Sequence, residues 1–594
     1  MQYNNISNRT TNLIAFALLS IMFVTAFLSY QNDSTTMDEL AHISAGYSYL
    51  SQKDFRINPE HPPLIKDLAA LPLMFLNLNF PSDSPAWTDD INGQWELGWD
   101  FLYNSNNNPE QILFWSRLAM VLTLVFLAWF LFFWVKKEFG NKLALFVLTL
   151  FSFSPNFIAH GRLVTTDVGA VLGFVLALYF WLKFLRKPSK KNVIFAGLIF
   201  GFSMLLKFSL ILLIPLFVII TLVYVLLNKK NLLKYIILSI LVGVIGTIFV
   251  ILPVYQLHVL NYPVERQLSD TKALLESSPM PVLRDIVVWM ADKPVIRSLG
   301  QYFLGLMMAT QRTIFGNTVY FMGMISASGW WYYFPVVYIL KVPLGFHVLA
   351  LIALLMSLLG IKRSLWVRTK QRLRECILNN FTAFSMMMFL LIYWGSSIIG
   401  SLNIGLRHIL PVFPFTYILV GLALKYGIEK ITLLKLKRAA NWLVIVLLGW
   451  YVLSSLNTYP YYLSYFNEIA GGTDNGYEYV VDSNYDWGQD LKRLNQYLIE
   501  NDIKKIKVDY FGGGDLNYYL GDKWERLDAL SGPQKGWLAI SATLLQGGKG
   551  NPVPGFTNPA GYYNWLDDYE PVARVGKSIF IYNIPENSFV LEGR

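Results

Sequence analysis

The chain has 594 residues, of which 54% are hydrophobic and only 15% are charged, and its mean hydropathy is +0.41. A soluble globular chain carries about 25% charged residues, so this composition excludes both a soluble enzyme of ordinary make-up and a disordered chain. The single cysteine, Cys376, excludes an internal disulfide framework.

Apolar stretches long enough to cross a membrane follow one another along the chain. A spanning helix needs roughly 20 mostly apolar residues to cross about 30 Å of hydrocarbon. We interpret the first stretch as a retained anchor, because its apolar run exceeds that of a typical signal peptide and no A-x-A-like cleavage site follows it. The sequence predicts about eleven spans, at 12–30, 113–135, 143–158, 168–185, 193–206, 208–227, 235–257, 333–359, 381–402, 409–426 and 442–456.

The basic residues are concentrated in every second connection between these spans. The positive-inside rule places such connections in the cytoplasm. An odd number of spans then puts the N-terminus inside and the C-terminus outside, so the net charge of +10 reflects orientation and not a nucleic-acid partner. The basic connections are 136–137, 186–191, 229–234, 362–374 and 430–438.

Three long segments are predicted outside the membrane, at 31–111, 258–331 and 457–594. We expect a mainly α-helical, polytopic membrane bundle over 1–456 and a small α/β or α+β external domain over 457–594. The protein is thus predicted to be an integral membrane protein with membrane lipids around it.

Short elements are also predicted within the external segments. Glu39–Leu50 and Leu64–Leu76 are amphipathic and too short to span, so we expect both to lie flat in the interface. In the tail, 491–498 is typical of a short helix, and 506–511 and 578–582 are typical of strands.

Two carboxylate sites fall on the predicted outer face. Asp38 and Glu39 follow the first span, and Asp167 ends the tight outer turn that begins near Arg162. Simple structural roles are open for each: acidic residues favour a helix N-terminus, and Asp167 can cap a helix and pair with Arg162.

Two cations fall on the same predicted face. Lys207 lies at the outer end of a short hairpin of spans, and an ionisable group near membrane depth is a functional candidate by default, although a lysine can also extend to the headgroups. Arg407, in the outer turn before 409–426, can donate two hydrogen bonds to a phosphate of a substrate or of a lipid headgroup. His408 beside it has no zinc-type spacing partner, and we interpret it as structural.

Together these residues provide acids for proton abstraction and cations for a phosphate leaving group. That equipment suits group transfer from a phospholipid-linked donor. The sequence has no P-loop and no convincing dinucleotide fingerprint. Two alternatives stay open: a polytopic secondary transporter, which would usually show repeated halves, and a membrane assembly protein with an external binding domain.

Several motifs resemble the polyprenyl-phosphate-sugar-dependent glycosyltransferases of the GT-C fold, and most closely family 39, the protein O-mannosyltransferase and aminoarabinose transferase type. The resemblance covers the membrane portion and the start of the tail, and some motifs are similar to those of bacterial members, which implies a bacterial plasma membrane. The motifs are Asp38-Glu39 with Gly46-Tyr47, NPEHPPL at 58–64, RLVTTD at 162–167, GWWYYFP at 329–335, RHILPVFP at 407–414 and DSNYDWGQD at 482–490.

The resemblance implies an external active site at which a sugar moves, with inversion, from a polyprenyl phosphate to an acceptor hydroxyl of a lipid, glycan or protein. It implies that Asp38 is the catalytic base, with Glu39 orienting the acceptor or the two roles exchanged, and that Asp167 completes the catalytic group. Substrate and lipid-phosphate binding fall to Arg162, Lys207, Arg407 and His61. No cofactor is certain, and a divalent metal stays open because family members differ on it. We expect the neighbouring Glu39 to raise the pKa of Asp38.

Overall fold

The computed structural model describes residues 6–365 and 370–585, and these are mainly helical. Part of the predicted basic connection 362–374 lies outside the described residues. The first half of the chain forms α1 (Asn8–Ser29), α2 (Met37–Ser51), α3 (Leu64–Ala70), α4 (Pro85–Thr88), α5 (Gln94–Trp99), α6 (Pro109–Phe139), α7 (Asn141–Ser152), α8 (Pro155–Gly161), α9 (Asp167–Arg186), α10 (Lys190–Met204), α11 (Leu213–Leu227), α12 (Leu232–Gly246) and α13 (Leu252–His258).

The second half adds the remaining helices and all the strands. They are α14 (Val264–Leu274), α15 (Pro281–Met290), α16 (Ile296–Phe315), β1 (Val319–Phe321), β2 (Met324–Ser326), α17 (Tyr333–Lys341), α18 (Leu344–Leu365), α19 (Lys370–Asn379), α20 (Phe381–Ile399), α21 (Val412–Glu429), α22 (Leu434–Leu456), α23 (Leu491–Glu500), β3 (Ile506–Asp509), α24 (Leu516–Leu520), β4 (Trp524–Arg526), β5 (Gly536–Ser541), α25 (Ala542–Lys549), β6 (Asn551–Pro552), β7 (Ala573–Val575) and β8 (Ile579–Ile584).

Among the described residues, 8 helical segments are long and apolar enough to cross a membrane. They are α1, α6, α9, Phe208–Leu227, Leu232–His258, α20, α21 and α22. The count rises to 10 if each of two bent pairs is one span: α7 with α8, bent by 60°, and α17 with α18, bent by 113°. These segments coincide with ten of the predicted spans, and the predicted membrane bundle is confirmed.

The one predicted span that is not among these segments, 193–206, corresponds to α10, which has only 15 residues. At 1.5 Å per residue such a helix is roughly 22 Å long, less than the hydrocarbon thickness. It nevertheless brings the chain back along α9, because Lys207, just beyond its end, contacts Asp167 at the start of α9. The chain therefore returns to the end of the bundle from which α9 departs, as an eleven-span topology requires.

The expectation that Glu39–Leu50 lies flat in the interface is wrong. In α2, residues 39–49 are all buried inside the protein. Two glycine contacts explain why: a Cβ on Gly46 would collide with the carbonyl of Lys66 in α3, and a Cβ on Gly98 would collide with the carbonyl of Leu40. Small residues at these crossings let α2 pack directly against its neighbours and away from lipid.

The tail contains a five-stranded mixed sheet of strand order β4-β3-β5-β8-β7. β3 is parallel to both β4 and β5, whereas β8 is antiparallel to β5 and β7. The predicted strands 506–511 and 578–582 correspond to β3 and β8, and the predicted helix corresponds to α23. The small mixed α and β tail is thus confirmed.

The tail is joined to the second external segment through a separate sheet of order β1-β2-β6. β1 and β2 form an antiparallel pair, and β6 of the tail adds in parallel, with Met324 opposite Asn551. The predicted boundary at residue 457 therefore separates elements that are hydrogen-bonded to each other.

The predicted orientation can be tested with the native cysteine, which is exposed next to a basic connection. In intact cells, a membrane-impermeant maleimide should leave Cys376 unlabelled until the cells are permeabilised. The same reagent should label Leu530→Cys, an exposed tail position, in a Cys376→Ser background without permeabilisation. The opposite labelling pattern would show that the protein has the reverse of the predicted orientation.

Candidate active site

A cavity of about 340 Å³ opens where the N-terminal part of α2 meets α16, α20 and the turn before α21. Four of the residues predicted from the sequence line it: Asp38, His61, Lys207 and Arg407. The other three predicted residues, Glu39, Arg162 and Asp167, do not line the cavity. Most of the other lining side chains are polar or small, and they include Asn58, Glu60, Gln94, Trp95, Thr166, Ala309, Thr310, Arg312, Ser396, Ser397 and His408.

Asp38 lies in the first turn of α2. A capping box formed by Thr36 and Glu39 fixes the start of this helix. The Asp38 carboxylate accepts a hydrogen bond from Nη1 of Arg407, with Oδ2 and Nη1 2.5 Å apart. Residues 369 positions apart in the sequence thus form one charge-assisted contact at the cavity wall.

Asp167 lies directly behind this contact, at the first position of α9. Its Oδ1 is 2.5 Å from Nζ of Lys207, and its Oδ2 is 3.6 Å from Nη1 of Arg407. Oδ2 is buried and accepts no hydrogen bond from the described residues. Arg407 therefore bridges Asp38 and Asp167, and the four residues predicted as two acids and two cations form one network.

The pKa of Asp38 is shifted in the direction opposite to the one expected from the sequence. Burial is the largest single influence and raises the pKa of Asp38, but the Arg407 guanidinium, together with His42 and Arg312, lowers it, and the net pKa lies below the ordinary value. Glu39 does not raise the pKa of Asp38 as expected, because the Glu39 carboxylate points away from the cavity and is paired with Arg117. Asp38 is thus a weak base as long as Arg407 remains beside it.

Glu39 is fully buried and does not line the cavity. Its two oxygens accept hydrogen bonds from Nε and Nη2 of Arg117 at 2.9 and 2.6 Å, and from the backbone N–H of Thr36 and of Val164. These bonds tie the start of α2 to α6 and to the turn before α9. This is the geometry of a residue that holds Asp38 in place.

Arg162 is also placed away from the cavity. Its guanidinium pairs with Asp33, with 2.9 Å between Nη2 and Oδ2, and not with Asp167 as the turn suggested. Arg493 of the tail pairs with the other oxygen of Asp33 at 2.9 Å. Arg162 is therefore committed to a buried ion-pair cluster that joins the first external segment to the tail.

His61 lines the cavity with its ring 5.3 Å from that of His42. The turn that carries it is held from behind by Lys66, whose Nζ donates to the carbonyl oxygens of Asn58 and His61 at 2.9 Å each. Burial lowers the pKa of Lys66 to about 7. A buried amine thus fixes the backbone of the NPEHPPL motif at the cavity wall.

Two cavity residues were not identified from the sequence. Arg312 on α16 lines the cavity, and its side chain makes no hydrogen bond or ion pair within the part of the chain that the structure describes. His408 lines it as well, and its Nε2 is buried without a hydrogen-bond partner there. Only the basic residue type pointed to Arg312, and many residues of the external segments share that signal.

The side chains around Asp38 and Asp167 indicate whether the site could bind a metal ion. Among the described residues, no three His, Cys, Asp or Glu side chains converge in a way that could hold a metal ion. The positive charges at both carboxylates are supplied by Lys207 and Arg407. These carboxylates and their neighbours among the described residues therefore do not fit a divalent metal ion in this arrangement.

Comparison with known proteins identifies a related family for part of the chain. Residues 101–255, well under half of the chain, match the family model described as dolichyl-phosphate-mannose-protein mannosyltransferase. The resemblance to this mannosyltransferase type is thus confirmed over that segment. No curated protein matches the chain.

Two solved structures also align with the chain over most of its length. ArnT from Cupriavidus metallidurans bound to undecaprenyl phosphate is 14% identical over 96% of this chain and 98% of its own, with a TM-score of 0.43. The oligosaccharyltransferase from Archaeoglobus fulgidus is 10% identical over 95% of this chain and 73% of its own, with a TM-score of 0.44. These superpositions are loose, with both TM-scores below 0.5.

The buried Glu39–Arg117 pair provides a test of how Asp38 is held. Removing one partner of a buried ion pair leaves the other charge uncompensated, so Arg117→Leu should destabilise the protein by about 3–5 kcal/mol. Arg186→Leu breaks a partly exposed pair with Glu138 and should cost about 1 kcal/mol or less. Thermal unfolding in detergent measures both. Equal unfolding temperatures for the two variants would contradict the assigned role of Glu39.

Proposed function

We propose that the protein is a membrane glycosyltransferase that moves a sugar from a polyprenyl phosphate donor to an acceptor hydroxyl, with inversion and with Asp38 as the base. The observation that carries the proposal is Arg407, which bridges Asp38 and Asp167 at the wall of a cavity that Lys207 also lines. The family match over 101–255 supports the same reaction class.

The chemistry balances with these residues alone. The acceptor oxygen attacks the anomeric carbon as the bond from that carbon to the phosphate oxygen breaks, and the bonding electrons leave with the phosphate. The acceptor proton moves to the Asp38 carboxylate. Attack on the face opposite the phosphate inverts the anomeric centre.

Arg407 couples donor binding to the basicity of Asp38. In the free protein Arg407 holds the pKa of Asp38 low. A donor phosphate offers the guanidinium a second anion, and Nε of Arg407 is buried with no partner among the described residues. When Arg407 turns toward the phosphate, Asp38 loses its cation and becomes a better base. Lys207 supplies the second positive charge as the leaving group gains negative charge.

Two kinds of cavity lining fit the two parts of the donor. The first group is polar, with Glu60 accepting a hydrogen bond from Gln94 at 2.7 Å and Trp95 beside them. These groups suit sugar hydroxyls. Leu306 and Ala309 of α16 are apolar and suit a prenyl chain that enters from the surrounding lipid.

The proposal is tested by the release of polyprenyl phosphate from a labelled lipid-linked sugar by detergent-purified protein. Asp38→Asn should lower turnover by about 10²–10⁴-fold, because the acceptor proton loses its acceptor. Asp83→Asn, an exposed carboxylate in the same external segment, should turn over normally. Near-normal release by Asp38→Asn would reject Asp38 as the base. Uptake of the compound into proteoliposomes without any release would instead favour a transporter.

The two cations are tested separately from the base. Lys207→Ala and Arg407→Ala should each lower turnover by about 10²-fold and raise the Michaelis constant for the lipid donor, because each removes a charge from the leaving phosphate. Lys293→Ala, in a surface pair with Asp292, is the matched control. Unchanged donor kinetics in both site variants would contradict the phosphate-binding assignment.

A further inference from the structure

The tail reaches the candidate active site through the loop 482–490. Trp487 is buried, and the guanidinium carbon of Arg407 lies over its ring, 4.3 Å from the ring centroid. A cation over an indole face is attracted to the ring, and the attraction is strongest where water is excluded. The Nε of the same guanidinium has no hydrogen-bond partner among the described residues and is available for an anion.

The same loop shapes the turn that carries Arg407. Ser483 Oγ donates to the carbonyl of Ile404 at 2.5 Å, and the backbone N–H of Leu406 donates to Oδ1 of Asn484 at 2.9 Å. Gly405 between them has φ +153°, and a Cβ there would collide with Ser483. The backbone on the N-terminal side of Arg407 thus packs directly against the tail and is hydrogen-bonded to it.

The loop is also bonded to the other side of the site. The backbone N–H of Met37, next to Asp38, donates to the carbonyl of Trp487 at 3.1 Å. Ser34 Oγ donates to the carbonyl of Gly488 at 2.6 Å. A single tail loop therefore contacts both the helix start that carries Asp38 and the turn that carries Arg407.

We propose that Trp487 is a positioning residue that holds the Arg407 guanidinium between Asp38 and the donor phosphate, so that the tail forms part of the active site. This inference rests on the proposed function. The ring holds the guanidinium carbon close to it, so that Arg407 can exchange the carboxylate for a phosphate without leaving the ring. The tail thereby sets how strongly Arg407 engages the leaving group.

The test is a double-mutant cycle between Trp487→Leu and Arg407→Gln, measured as binding of undecaprenyl phosphate to purified protein and, in parallel, as turnover. In the native background, Trp487→Leu should weaken binding and lower kcat by about tenfold, the upper part of the cation–π range. In the Arg407→Gln background, the same substitution should cause no further loss of binding, because no cation remains over the ring. Trp487→Phe should lower binding and kcat by only about threefold.

Controls separate positioning from folding. Trp537→Leu removes another partly buried tail tryptophan that does not line the cavity and should leave binding and kcat unchanged. If Trp487→Leu fails to fold, Trp487→Phe carries the same cycle, with an expected coupling of about threefold since phenylalanine attracts cations less strongly.

The outcomes are distinguishable. If the native protein neither binds the probe nor releases it from a lipid-linked sugar, the proposed function fails. If the native protein binds it and Arg407→Gln weakens binding, but Trp487 variants bind normally or lose the same factor in both backgrounds, the positioning role of Trp487 is wrong and the proposed function stands.

Discussion

Arg407 donates a hydrogen bond to Asp38 over 2.5 Å and lies 3.6 Å from Asp167, and the rest of the site is arranged around this shared cation. Two carboxylates this close together repel each other in a low-dielectric interior unless a cation lies between them. Arg407, together with Lys207 on Asp167, supplies that charge and at the same time keeps Asp38 a weak base. The proposed reaction uses this arrangement directly, since a donor phosphate that attracts Arg407 releases Asp38.

Contacts in the surrounding structure hold these charged groups in position. Glu39 clamps the start of α2 to α6 and to the turn before α9 through Arg117. Close glycine crossings bury α2 against α3 and α5. The tail closes one end of the site, because its loop 482–490 contacts the approaches to both Asp38 and Arg407. The membrane bundle and the tail are thus joined at the candidate active site itself.

The sequence predicts the bundle and the central charges well, because charged residues in an apolar chain are few and the alternation of basic connections assigns Asp38, Asp167, Lys207 and Arg407 to one face. It cannot separate Asp38 from Glu39. Adjacent residues on a helix point about 100° apart, and the rotation of α2 is set by packing against α3 and α5, segments whose crossings no local pattern specifies. Likewise, Arg162 pairs with Asp33, and Trp487 contacts Arg407, across separations that leave no periodic signal.

The central claim is that Arg407 exchanges Asp38 for the donor phosphate. The most direct measurement is an electron cryomicroscopy structure of the purified protein with undecaprenyl phosphate bound. The phosphate should lie within hydrogen-bond distance of Lys207 and Arg407, with the Arg407–Asp38 separation beyond about 3.5 Å. A phosphate bound elsewhere, or an Arg407 that still contacts Asp38 at 2.5 Å and does not touch the phosphate, would contradict it.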